Sequence, residues 1–371
     1  MKKNTILPIL PVCLLLASWL TITLPALPAV EVKHLDEFTL SQAGGIIIER
    51  AHSFMVTEDN NILVIDSKAA NIKIFDMKGK RLGIFGRKGM GPNEFVRPIM
   101  SSYLHPLAAI VDFGRKTIFI YKWSEGNRFE FVKKFLCMGL GQNFNLIDDH
   151  TILIAGDKID KKGKFQRIYK YNFKENSYDY ILSGAEAYGL DSEKKFHKER
   201  NEKIMYIGLA NFCDFTDDSI YMVWTGDIRV TKIDRKTRKI TYFGKKTGNF
   251  AAPYVKPEIK KAYHQMNHLL IYSLKKDMSF VRYIFVSNTK KVGIVYVGPY
   301  KKDNRLQVML QLYTTDGEYL KEFEILNARA SHHYEIYFYF KKDNNRLYLL
   351  DTVTTEELDQ FYHIHEYSIE D

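Results

Sequence analysis

The stretch from Asn61 to Pro98, NILVIDSKAANIKIFDMKGKRLGIFGRKGMGPNEFVRP, contains three short apolar segments separated by polar turns. Ile62 to Asp66 is a continuous apolar run, Asn71 to Asp76 alternates apolar and polar residues, and Arg81 to Phe85 returns after the turn Met77–Lys80. Strands of about five residues joined by turns of two to five residues are typical of an antiparallel meander. The stretch therefore predicts one blade of a β-propeller.

The same three-strand rhythm recurs along the rest of the chain. Its equivalent strands begin near Ile62, Ala108, Ile152, Ile220, Val292 and Leu347. The short spacings, such as the one from Ile62 to Ala108, fit a four-stranded blade. The long spacings, such as the one from Ile220 to Val292, require insertions. The sequence thus predicts an all-β fold, a six-bladed β-propeller with four-stranded antiparallel blades.

The last predicted blade is one strand short, because the chain ends at Asp371 soon after the strand Phe361 to Tyr367. A strand-like run from Val32 to Leu40 can supply the missing outer strand and pair the two ends of the chain. Such pairing also protects a sheet edge. We expect one propeller domain over residues 31–371, closed by an N-terminal strand that completes the last blade, and a monomer.

Residues 1–30 have the layout of a signal peptide. Lys2 and Lys3 form a basic start, and Ile6 to Val30 carries no charge. The uncharged run is also long enough to span a bilayer, so a retained N-terminal anchor is the alternative. Cys13 follows no small residue and is a poor lipid-attachment site. We predict an exported protein, periplasmic or extracellular, with no later membrane span.

Composition is consistent with a basic exported protein that folds by core burial. Without Lys2 and Lys3, the chain has 52 basic against 44 acidic residues. Apolar residues make up 46%, including 24 Phe and 24 Tyr. Cys137 and Cys213 lie in different predicted blades, and two buried thiols are favoured over a disulfide.

The opening stretch resembles the NHL-repeat type of six-bladed propeller, in its exported bacterial branch without assigned activity. The matching residues are Ile65-Asp66, Phe75-Asp76, Gly86, Gly89, Gly91-Pro92, Glu94-Phe95 and Pro98. The resemblance implies a propeller fold and binding on one face of the ring. Its relatives include RNA-binding proteins, ubiquitin-ligase partners, lyases, calcium-dependent lactonases and quinone-dependent sugar dehydrogenases. Catalytic residues of these enzymes do not map onto this chain.

In such a ring, the linkers from one blade to the next emerge on the same face, where binding often resides. The two longest, Ser183 to Gly208 and Gly244 to Met278, show partly helical patterns. The second of them holds seven lysines against Glu258 and Asp277. We predict a ligand-binding surface on this linker face, with a preference for anions. The candidate ligand-binding residues are Arg87, Lys88, Arg97, Lys256, Lys260, Lys261 and Tyr263.

These patterns favour a binding or interaction module that recognises a protein, a glycan or an anionic surface, with no specific nucleic acid as partner. One alternative is a propeller enzyme, a lyase, lactonase or sugar oxidoreductase, with a metal or quinone in the channel. Another is a structural component of a cell-envelope assembly. The sequence identifies no catalytic residue.

We also expect no cofactor and no metal. His264 and His268, four residues apart, and His363 and His365, on one strand face, have ligand spacing but are better explained as surface side chains. Asp66, Asp112 and Asp351 each end a strand, so a calcium-binding ring of carboxylates is the less favoured alternative. Their favoured role is to accept hydrogen bonds in the following turn.

Overall fold

The protein is a ring of six four-stranded antiparallel sheets, seen in a computed structural model. The structure describes residues 30–42, 47–124, 126, 128–136, 141–204, 210–265, 274–301, 305–329, 335–354 and 360–370. The first described strand is β1 (Glu31–Thr39), and each blade is then built from its inner strand outward.

The strand bounds follow the chain. Blade 1 comprises β2 (Ala51–Val56), β3 (Ile62–Asp66), β4 (Asn71–Phe75) and β5 (Arg81–Phe85). The short strands β6 (Arg87–Lys88) and β7 (Glu94–Phe95) pair in the linker to blade 2. Blade 2 comprises β8 (Pro98–Leu104), β9 (Leu107–Asp112), β10 (Thr117–Ser124) and β11 (Arg128–Leu136). Blade 3 comprises β12 (Gly141–Leu146), β13 (Thr151–Ile159), β14 (Phe165–Asn172) and β15 (Ser177–Ser183).

The second half of the ring repeats this order. Blade 4 comprises β16 (Asn211–Phe215), β17 (Ser219–Trp224), β18 (Val230–Asp234) and β19 (Ile240–Phe243). Blade 5 comprises β20 (Phe280–Val286), β21 (Lys291–Val297), β22 (Arg305–Thr314) and β23 (Tyr319–Arg329). Blade 6 comprises β24 (Ile336–Lys341), β25 (Arg346–Thr354), β26 (Gln360–Glu370) and the N-terminal β1.

The N-terminal strand closes the ring, as the sequence predicted. β1 pairs antiparallel with β26, from Glu31 opposite Glu370 to Thr39 opposite His363. Blade 6 therefore takes its outer strand from the start of the chain and its other three from the end. This pairing joins the first and last blades, and it covers the edge that β26 would otherwise expose.

Hydrophobic side chains fill the wedge between each pair of neighbouring blades. The second strands β3, β9, β17 and β21 are buried along their whole length, because both faces of each blade pack against a neighbour. Successive residues of a strand point to opposite wedges. Leu153 packs between blades 3 and 4, whereas Ile152 packs between blades 2 and 3. Several tyrosines, including Tyr121 and Tyr169, are fully buried in these wedges.

The inner strand of each blade was not recognised in the sequence. The three-strand rhythm corresponds to the second, third and fourth strands, and the predicted linkers absorbed part of the inner ones. The shorter linkers predicted over Gly86 to Met100 and Cys137 to Asn143 end inside β8 and β12. The linker predicted over Asn327 to His333 begins inside β23. Inner strands face the channel on one side, so their patterns mix polar and apolar residues and lack the continuous apolar signal of β3.

Both long insertions contain helices, as predicted. The linker between blades 3 and 4 forms α1 (Gly184–Ala187), α2 (Glu193–Glu199) and a π-helical turn, Arg200–Ile204. The linker between blades 4 and 5 forms α3 (Pro257–His264). A 3-10 turn, Lys342–Asn344, follows β24. Within the described part of the chain, none of these helices has the length and hydropathy needed to cross a membrane.

Asp66 and Asp112 have the turn-capping role that the sequence favoured. Asp66 is fully buried and accepts hydrogen bonds from the backbone N–H groups of Glu49, Arg50, Lys68 and Ala69. It also forms an ion pair with the buried ammonium of Lys73. The Asp112 carboxylate accepts from Val96, Arg97 and Arg115 in the same arrangement. Each aspartate thus lies at the end of a second strand and binds the backbone segment that leads into the inner strand of the same blade.

Candidate functional site

The inner strands surround a channel that contains a cavity of about 580 Å³. Five exposed lining residues belong to the inner-strand ends and the turns that follow them: Glu58, Leu104, His105, Asn288 and Asp343. Because strands alternate in direction, these turns lie on the face opposite the blade-to-blade linkers. Arg282, near the start of β20, is exposed toward the other end of the cavity. The volume is in the range of small-molecule sites.

One strand gives the cavity its aromatic wall. β24 has the sequence IYFYFK, and every residue from Ile336 to Lys341 lines the cavity. The ring of Tyr339 lies 6.2 Å from Phe54, and the ring of Phe338 stacks 6.2 Å from Tyr283. Burial raises the pKa of Tyr339 well above its usual value, so its hydroxyl stays neutral. The wall therefore offers flat apolar faces with neutral hydroxyl groups between them.

Many polar groups around the channel are already used to join neighbouring blades. We call these contacts the inner hydrogen-bond ring, with one at each of the six junctions. They are Ser53 Oγ to Ser101 Oγ at 3.0 Å, Leu146 N to Ser102 Oγ at 3.0 Å, Asn145 Nδ2 to Cys213 O at 2.6 Å, Val286 N to Asp214 Oδ2 at 2.7 Å, Phe340 N to Tyr283 OH at 3.2 Å and Lys341 Nζ to Asn60 Oδ1 at 2.8 Å. These groups are explained by the architecture and need no ligand.

Asp214 connects three blades at once. Its Oδ2 accepts from Val286 of blade 5, and its Oδ1 accepts from Lys342 Nζ at 2.7 Å. Lys342 follows the inner strand of blade 6, so its side chain passes blade 5 to reach blade 4. The same ammonium donates to Phe215 O at 3.0 Å and lies 4.3 Å from the Phe215 ring centroid. This bridge therefore links the turns that follow the inner strands of blades 4 and 6.

His52 lines the cavity near the start of β2. Its Nε2 is buried and has no hydrogen-bond partner among the described residues. Its ring lies 6.4 Å from Tyr337, at the edge of the aromatic wall. Burial and the nearby Arg50 guanidinium lower the pKa of His52, so its imidazole is neutral at neutral pH. A neutral imidazole can donate from one nitrogen and accept at the other.

The charges of the cavity wall balance. The lining contains three acidic and three basic residues: Glu58, Asp214 and Asp343, and Arg282, Lys341 and Lys342. It therefore carries no net charge when the histidines are neutral. Asp214 and the two lysines are also bound to protein groups. The cavity therefore has no electrostatic preference for an anion.

The seven residues predicted to bind a ligand lie outside this lining and form two separate groups. Arg87, Lys88 and Arg97 lie in the linker from blade 1 to blade 2, and the other four lie at or in α3, between blades 4 and 5. These two linkers are three blades apart, on opposite sides of a six-bladed ring. The structure therefore does not bring the two groups together, and their role in binding stays a prediction.

The glycine-rich part of the first linker binds a carboxylate of its own chain. Glu94 accepts from Gly91 N at 2.6 Å and from Arg87 Nε at 2.8 Å. Together these contacts lower the pKa of Glu94. Gly89 has a φ of 157°, which favours glycine, and a Cβ there would approach Glu94 Oε2 to 2.2 Å unless the carboxylate moved. Lys88 is exposed, and Arg97 lies over the ring of Phe113 at 5.5 Å.

The α3 group is more exposed. Lys256 precedes the helix and donates to Asp277 at 2.9 Å, whereas Lys260, Lys261 and Tyr263 lie in the helix with exposed side chains. His264 ends α3, and His268, its predicted partner, lies outside the described residues.

Of the two cysteines considered for a disulfide, Cys213 is a free, buried thiol, and burial raises its pKa. Cys137 lies outside the described residues.

Sequence reasoning missed the cavity wall because it missed the inner strands. The signal is present in IYFYFK at 336–341, a strongly β-forming run that precedes the predicted strands of the last blade. A four-stranded blade needs one such strand before the three strands that the sequence pattern predicts. The sequence around His52 gives no such signal. Whether its Nε2 finds a hydrogen-bond partner depends on how the inner strands pack in the folded ring.

Comparison with known proteins supports the fold. The sequence matches no protein-family model and no curated protein. A member of the DUF4221 family from Bacteroides vulgatus superposes with a TM-score of 0.60 at 11% identity, covering 92% of this chain and 99% of that one. A putative exported protein from Bacteroides fragilis gives 0.56 at 13%, covering 92% and 96%. Virginiamycin B lyase from Staphylococcus aureus gives only 0.40 at 9%, covering 92% and 100%. At these identities, the likeness concerns the six-bladed propeller fold alone, and NHL-repeat membership is not established.

Proposed function

We propose that this propeller is a binding module that holds a small, uncharged ligand in its channel, against the aromatic wall of β24. The observation that carries the proposal is the combination of a cavity of about 580 Å³, stacked aromatic rings and the partnerless Nε2 of His52. A flat or ring-shaped ligand with one hydrogen-bonding group fits this combination. The ring contributes by stacking and burial, and the polar group pairs with His52.

The test is a thermal-shift screen of uncharged ring compounds, including sugars and aromatic amides, followed by calorimetry on the compounds that raise the unfolding temperature. We expect His52→Phe to weaken binding about tenfold, because it keeps a ring but removes a hydrogen bond that contributes about 1.4 kcal/mol. The control is the double variant Lys260→Glu with Lys261→Glu on α3, which leaves the channel unchanged.

The same two variants decide between the channel and the linker face. Loss of binding in the α3 variant with full binding in His52→Phe supports the anion-binding linker face that the sequence predicted. Compounds recovered chemically changed favour the enzyme alternative. If no compound raises the unfolding temperature, the channel proposal fails, and a structural role in the envelope is favoured.

We also propose that the protein is exported and that its first blade is of the NHL-repeat type. The basic start and the uncharged run within residues 1–30 support export, and one structural neighbour is described as a putative exported protein. Mass spectrometry of the protein from fractionated cells should find it in the envelope or medium, with a chain that begins near Val30. A full-length chain in the cytoplasmic fraction would contradict export.

A further inference from the structure

Ring closure brings imidazole and carboxylate groups from the two ends of the chain onto one sheet face. Glu37 of β1 lies directly opposite His365 of β26. A register shift between His34 and Asp36 leaves His34 opposite Tyr367, which shares a strand face with His365. His363, two residues before His365, lies on this face too. The cluster therefore exists only in the closed ring.

The separations suit a metal ion. Glu37 Oε2 lies 3.3 Å from His365 Nδ1, and Glu37 Oε1 lies 3.5 Å from His363 Nδ1. One ligand atom each from His34, Glu37 and His365 all lie within 4.8 Å of one another. In a tetrahedral zinc site with bonds of about 2.0–2.1 Å, neighbouring ligand atoms are about 3.3 Å apart. The Glu37–His365 pair already has this separation.

A buried carboxylate on the far side of His365 supports the same assignment. Asp351 Oδ1 lies 3.4 Å from His365 Nε2, and both side chains are more than nine-tenths buried. His365 Nε2 makes no hydrogen bond with this carboxylate or with any other described group, so the carboxylate acts on the imidazole through its charge. A carboxylate beside Nε2 favours the proton on that nitrogen, which directs the lone pair of Nδ1 toward Glu37. Carboxylate, histidine and metal follow one another in this order in many zinc sites.

The Glu37 carboxylate lies within hydrogen-bond distance of His365 Nδ1. A direct hydrogen bond between them would account for that pair alone and not for His34. A metal ion uses the lone pairs of His34 and His365 together with a Glu37 oxygen, which explains why several groups converge. We propose that His34, Glu37 and His365 bind a divalent transition-metal ion such as zinc, oriented by Asp351, and that this ion joins β1 to β26.

The test is a zinc titration of purified, chelator-treated protein against a chromophoric competitor. We expect one zinc per chain at this site and a higher unfolding temperature with zinc, because the ion binds only the closed ring. Glu37→Gln and His365→Ala should each weaken zinc binding at least tenfold and remove the temperature shift, and Asp351→Asn should weaken it about 10–100-fold. Glu37 has a half-exposed side chain, so Glu37→Gln remains informative if His365→Ala does not fold.

Two histidine variants elsewhere serve as matched controls. His264→Ala removes an exposed histidine of α3, and His150→Ala removes one from a second cluster with Asp148 and Asp149. Both should keep the high-affinity site. Zinc uptake that is unchanged in Glu37→Gln, or lost in either control, overturns the proposal. Absence of zinc binding in the unaltered protein also overturns it and leaves a direct Glu37–His365 contact as the explanation of the cluster.

Discussion

Deleting residues 31–40 is expected to unfold the protein at ordinary temperature. β1 forms the outer strand of blade 6, paired with β26 from Glu31 to Thr39. At about 0.5–1.5 kcal/mol for each hydrogen bond, loss of this strand removes roughly as much free energy as a typical domain's net stability of about 5–15 kcal/mol. The deletion also exposes β26 as an unpaired edge, which promotes aggregation. Circular dichroism melting and size-exclusion chromatography measure both effects.

A synthetic peptide of residues 31–40 provides the control for this deletion. Added in excess, it should pair with β26 and restore cooperative melting, because the strand contributes through pairing and needs no covalent link. A deleted chain that melts at the temperature of the intact protein without the peptide would show that β1 does not hold the ring closed.

The second large effect is expected from Asp66→Asn. The side chains of Asp66 and its partner Lys73 are each exposed by 1% or less. The same carboxylate accepts hydrogen bonds from four backbone N–H groups. Asparagine keeps the shape but leaves the ammonium of Lys73 buried without its counter-charge. Breaking one partner of a buried ion pair costs about 3–5 kcal/mol. Urea unfolding should show this loss as a lower midpoint at an unchanged slope.

Asp76→Asn is the matched control in the same blade. Asp76 also holds a turn, accepting from Lys78 N and Lys80 N at 2.9 Å each, but these contacts are exposed and face no buried cation. We expect a change of about 1 kcal/mol or less. Equal losses in the two variants would mean that turn capping, and not the buried charge pair, accounts for the effect of Asp66.

The sequence predicted the architecture because each blade contains one strand whose pattern has a single explanation. β3 and β21 are buried on both faces, so they appear as continuous apolar runs. The chain also ends one strand short, which indicated that Val32 to Leu40 completes blade 6. The inner strands were missed because a residue facing the channel is under no requirement to be apolar.

The candidate sites were harder to predict because they depend on long-range geometry. His52 and Tyr337 are far apart in sequence and meet only when β24 and β2 become neighbours at the ring junction. His34 and Glu37 reach His365 only through the register of β1 on β26. The lysines of the linker Gly244 to Met278 were visible as a charge excess, but charge alone does not show where a cavity lies.

We propose that the channel, bounded by β24, is the binding site. The most direct measurement is a crystal structure of the protein soaked with a ring compound that raises its unfolding temperature. We predict that the compound lies in the cavity, stacked on the β24 aromatic residues, with a polar atom within about 3 Å of His52 Nε2. A compound bound on α3 or in another linker, with the channel empty, would contradict the claim.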